Sequence, residues 1–98
     1  MMNMTEFISS IEKGSQPINE WSMAIQALWW AKKGNWKKAH DLAQDAGTIE
    51  GDWVHAYLHR EEGDLQNASY WYARAGKAVC QTNLSTEWKQ MANELICR

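Results

Sequence analysis

The sequence predicts an all-α fold: two stacked antiparallel helical hairpins of 29 residues each, capped by an N-terminal and a C-terminal helix. Three observations carry that expectation. Much of residues 27–47 returns 29 positions later, so that Ala27, Gly34, Ala39, Ala46 and Gly47 come back as Ala56, Gly63, Ala68, Ala75 and Gly76. Apolar residues recur at three- and four-residue intervals, the period of a helix face. Each copy is divided by a glycine and a capping residue, Gly34-Asn35 and Gly63-Asp64, which can end one helix and begin the next.

Taken in order, residues 4–13 place Met4, Phe7, Ile8 and Ile11 on one stripe of a short capping helix. Gly14-Ser15-Gln16-Pro17 breaks it, because proline is tolerated at a helix start and not inside one. Asn19 is the expected cap of the next helix, running to Lys33. That helix is apolar on nearly every side, which marks it as the central helix. Its partner, 36–46, carries Trp36, Ala39, Ala43 and Ala46 inward, and these alanines let two backbones approach closely.

Thr48 opens the second copy as a cap, and a helix to about Glu62 puts Trp53, Ala56, Tyr57 and Arg60 on one stripe. Asp52 could cap a later start of the same helix. Leu65, Ala68, Tyr72 and Ala75 line its partner, with Tyr70 and Trp71 off that stripe. Residues 77–83 read as an irregular link. Trp88, Met91, Ala92 and Leu95 then make the stripe of a C-terminal capping helix within 84–97. The domain reading is one unit over 1–98, with repeats at 19–47 and 48–76.

Composition agrees with one globular domain. Ninety-eight residues suffice for a single core, with 45% hydrophobic and 22% charged residues. A net charge of −2 gives no electrostatic reason to expect nucleic acid or an anionic membrane as a partner. Cys80 and Cys97 are too few for a disulfide framework, and no secretory leader or membrane-spanning run is visible. A cytoplasmic protein with reduced thiols is the expectation. The chain also carries seven Trp, more than a core of this size obviously needs.

The turn segments Gly34-Asn35-Trp36-Lys37-Lys38-Ala39 and Gly63-Asp64-Leu65-Gln66-Asn67-Ala68 resemble the turn of a tetratricopeptide repeat. Ala27 and Ala56 match the small residue of that family's first helix, Trp30 its aromatic, and Ala46 and Ala75 its late alanine. The period of 29 is shorter than the family's 34, no proline closes either unit, and His59 replaces the aromatic in the second copy. Sel1-like and other helical-hairpin repeats are similar over the same residues, 19–76. The run from Trp53 to Tyr72 also resembles a group of short bacterial proteins, from which no activity carries over. The resemblance implies a small interaction module that binds a peptide or protein, or a second copy of itself, along its first helices. By position the binding surface would comprise Trp21, Leu28, Trp53, Tyr57, Arg60 and Glu61.

The alternative function comes from the residues themselves. His55 and His59 stand four apart on a helix and so share a face, with Glu62 a turn later; such a set can hold a metal ion. The glutamate that zinc peptidases carry directly after the first histidine is absent, and partly buried structural histidines are the ordinary reading of this pair. His40, Asp41 and Gln44 offer acid and base groups without a nucleophile. No catalytic motif and no cofactor site is expected. Lys32, Lys33, Lys37 and Lys38 surround Trp36, and stacking of the hairpins is expected to set them beside Glu61, Glu62 and Asp64.

Overall fold

The computed structural model describes residues 3–97, which form six α-helices and, among the described residues, no strand. They are α1 (Met4–Lys13), α2 (Met23–Lys33), α3 (Trp36–Asp45), α4 (Ile49–Glu61), α5 (Leu65–Ala75) and α6 (Leu84–Ile96). The all-α class expected from the periodicity is the class observed.

Local chemistry explains most boundaries. Asn3, Ser22, Asn35, Thr48, Asp64 and Asn83 each accept a hydrogen bond from a backbone N–H of the first turn that follows, filling a donor the helix leaves open. The cap of α2 corrects the expectation: Ser22, not Asn19, begins it, so the helix is shorter by a turn. The backbone carbonyls of Asn19 and Trp21 instead accept from the Gln26 amide, which holds residues 19–21 as a bent lead-in. Thr48 opens α4 as expected, and Asp52 lies inside the helix.

Gly34 ends α2 at φ +94°, a left-handed conformation that side chains disfavour. Gly51 serves a different end. A Cβ there would lie 2.6 Å from the Ala46 Cβ and 2.9 Å from the Ala43 carbonyl oxygen, so only glycine lets α4 start directly against the end of α3.

The most extensive packing joins α4 to α5 and α2 to α3. The central helix is α4, not α2. It packs on α2, α3, α5 and α6, and every residue from Trp53 to His59 is buried. Part of the apolar character of α2 goes unused in the core: Met23 is exposed and Ile25 and Trp30 are half-buried. Both terminal helices lie over the first helices of the hairpins, α6 on α2 and α4, and α1 on α2 and α6. Phe7, Trp29, Trp88 and Met91 are fully enclosed where they meet. Buried indoles need a partner for their N–H; Trp88 donates to the Leu28 carbonyl and Trp36 to that of Leu58.

α3 and α5 both pack on α4 but not on each other. His55 and His59 of α4 lie between them, flanked by side chains from both.

Candidate metal centre

His55 and His59 share a face of α4, as their spacing requires, and α3 brings His40 to the same place. One ligand nitrogen from each of the three lies within 4.8 Å of the others. The shortest approach is 3.0 Å, between His40 Nε2 and His55 Nε2. His55 is 2% exposed and His59 6%, whereas the His40 side chain keeps 20% and gives the cluster its opening to water.

Aromatic walls hold the rings. Trp71 of α5 stacks on His55 at 3.9 Å between centroids and 17° between planes. Trp36 of α3 stacks on His40 at 4.8 Å and meets the edge of His59 at 5.9 Å. Trp36 and Trp71, both half-buried against the core, thus fix two imidazole planes.

Carboxylates stand behind the rings. Glu62 accepts from His59 Nδ1 at 2.8 Å, and Asp41 stands 3.8 Å from His40 Nδ1. Asn67 lies 3.4 Å from His59 Nε2. Burial, followed by the nearby His40 and His59, pushes His55 down from the ordinary 6.5 to about 4, so it is a neutral imidazole at neutral pH. Its Nδ1 is buried and has no hydrogen-bond partner among the described residues.

Imidazole nitrogens backed by carboxylates are the ligand set of borderline divalent metals. Of the expected set, His55 and His59 stand with His40, while His59 and Glu62 also stand with Asp64 in a second group whose ligand atoms lie within 4.8 Å of one another; in the three-histidine cluster Glu62 takes the position behind His59. Sequence reading named His40 only as an acid or base group and missed it as a third candidate ligand. Its local signals were the adjacent Asp41 and its position four residues after Trp36 on α3; the pairing with α4 is tertiary.

The expected groove is closed. Leu28, Trp53 and Tyr57 are buried, and Trp21 is half-buried with its edge on Phe7. Arg60 donates to the buried Glu87 at 2.7 Å and to the Thr82 carbonyl, while the Tyr72 hydroxyl donates to the other Glu87 oxygen. Of the six residues only Glu61 is exposed. The reason is α6, whose apolar stripe lies over the first helices where a peptide would run.

The four lysines also depart from expectation. Lys32, Lys33 and Lys38 lie over the rings of Trp88, Trp29 and Trp30, and Lys37 pairs with Asp41 at 3.3 Å. An indole face attracts a cation about as well as an exposed carboxylate does. Lys33 also donates to the Ile11 and Gly14 carbonyls, so the charge edge is satisfied within the first hairpin and by both terminal segments.

No described helix is long and apolar enough to cross a membrane. No family model matches the chain, and neither a curated protein nor a solved structure matches it.

Proposed function

We propose that this protein binds a divalent transition-metal ion of the zinc class through His40, His55 and His59, with Glu62 orienting His59. The observation that carries the reading is the convergence of three imidazoles from two helices, with ligand atoms within 4.8 Å. Zinc–nitrogen bonds of roughly 2.0–2.1 Å set tetrahedral ligands roughly 3.3 Å apart. His40 and His55 already stand at 3.0 Å, so an ion between them asks for a small adjustment, with His59 closing from the side. Histidine neutrality favours the ion further, since no proton competes at His55 near pH 7.

The test is zinc titration of the chelator-treated protein, followed by calorimetry and a melting scan. One ion per chain and a rise in Tm are expected, because a ligand of the folded state alone stabilises it. His40→Ala should lose both effects. A wild-type protein that stays metal-free, with an unmoved Tm, would end the reading.

A second reading, docking of a protein partner or of a second copy, rests on the outer face of α5. Among the helices only α4 packs on α5, and Leu65 and Tyr70 are 63% and 55% exposed. Leu65 stands at the repeat position of Trp36, the residue by which α3 grips α4, so this is the face where a further hairpin would stack. Leu65→Glu should abolish any association seen by sedimentation; association indifferent to that change would discard this surface. The two hairpins, read as divergent tetratricopeptide-like repeats, support this view, and the free thiols of Cys80 and Cys97 support a cytoplasmic setting.

A further inference from the structure

The ring protons of the three histidines can be placed from their neighbours. An ionised Glu62 can only accept, so His59 carries its proton on Nδ1 and keeps a lone pair on Nε2. Asp41 Oδ1 stands 3.8 Å from His40 Nδ1, beyond hydrogen-bond reach, so the His40 proton is placed through the contact of that ring with His55. In the 3.0 Å contact between His40 Nε2 and His55 Nε2 the proton belongs to His55, because the opposite choice would bury an N–H without an acceptor at His55 Nδ1; His40 then accepts at Nε2 and carries its own proton on Nδ1. His55 is thereby left with a bare lone pair on its buried, unpartnered Nδ1. This is the cheaper orphan, since a buried N–H without an acceptor is rarer in folded proteins than an under-used acceptor.

An ion held between the facing nitrogens needs the Nε2 lone pair of His55, where the metal-free protein keeps a proton. We infer that His55 is a tautomer switch: loading moves its ring proton from Nε2 to Nδ1, and the imidazole–imidazole hydrogen bond that ties α3 to α4 gives way to the ion. The inference rests on the metal-binding reading above. The N–H bond at Nε2 breaks and one at Nδ1 forms, by exchange with water entering beside the half-buried His40. The ring stays neutral, and no net proton is released.

Two consequences follow for the kind of ion the site serves. Loading gives up two hydrogen bonds, the one between His40 and His55 and the 3.4 Å contact by which the Asn67 amide donates to His59 Nε2, and leaves the new Nδ1–H of His55 without an acceptor, so the site is weaker than three unencumbered imidazoles. The helices stay joined in both states, because the hydrogen bond replaces the ion when it leaves. Such a site suits an exchangeable ion, taken up and given back, rather than a permanent structural zinc on which folding depends.

Long-range proton–nitrogen NMR of the histidine rings in uniformly ¹⁵N-labelled protein tests this directly, with and without one equivalent of zinc. The metal-free protein should show His55 protonated at Nε2, and His40 and His59 protonated at Nδ1. With zinc, all three should be protonated at Nδ1 and ligated through Nε2. A metal-free His55 already protonated at Nδ1 would overturn the switch. So would a zinc-loaded His55 that keeps its Nε2 proton and binds through Nδ1. Failure of zinc to change any ring signal or the Tm is a separate outcome, which removes the binding reading and the switch with it.

Discussion

At the scale of single residues, the C-terminal end of α4 and its cap place two charged side chains whose roles are opposite. Glu62 faces the imidazoles and fixes the proton of His59, whereas Arg60 faces α6 and neutralises Glu87, which is 2% exposed. Glu62→Gln should weaken zinc binding about 10–100-fold, the usual effect of losing a carboxylate behind a ligating histidine, and change stability by less than about 1 kcal/mol. Arg60→Ala should do the reverse. It leaves a buried carboxylate without its partner, which costs about 3–5 kcal/mol, while zinc affinity in the folded fraction is unchanged. Urea denaturation beside calorimetric titration reads both; a shared loss in either variant would contradict the separation of the two faces.

At the scale of elements, the hairpin grammar was legible because caps and left-handed glycines are local. Asn35, Thr48 and Asp64 accept from the first turns they precede, as their residue types suggest. The start of α2 differs from the expected one for a physical reason: Asn19 and Ser22 are both competent caps, and the bend of the lead-in chose between them. The choice follows the Gln26 side chain, which binds the carbonyls of Asn19 and Trp21 and keeps those residues out of the helix. Ser22→Ala should therefore cost about 1 kcal/mol of unfolding free energy, and Asn19→Ala only a few tenths. Equal losses would show that the helix begins earlier in solution.

At the scale of the molecule, burial of a histidine cluster couples stability to pH. His55 titrates near 4 in the folded protein and near 6.5 when unfolded. The unfolded chain therefore binds a proton that the folded chain refuses. Stability of the ion-free protein is full above about pH 6.5, falls as pH drops toward 4, and is level below that as far as this group is concerned. The loss is about 2 kcal/mol, discounted for water reaching the ring beside His40. Denaturant midpoints at pH 7.5 and 4.5 measure it, and His55→Gln should flatten the difference. The arrangement of helices belongs to this scale too. Which helix is central depended on α3 and α5 both packing on α4, and the groove expected along Leu28, Trp53 and Tyr57 is filled by the stripe of Trp88, Met91, Ala92 and Leu95.

The sequence by itself determined the helical class, most of the turns and the shared face of His55 and His59, because each depends on residues within a turn or two of one another. Only the tertiary structure decided that α4 is central, that Arg60 clamps Glu87, and that His40 completes the cluster. His40 and His55 stand 15 residues apart on different helices, and nothing in either helix alone shows that the rings meet at 3.0 Å. Periodicity tells which side of a helix is buried; it does not tell what is buried against it. For this chain the candidate function lies in that second fact.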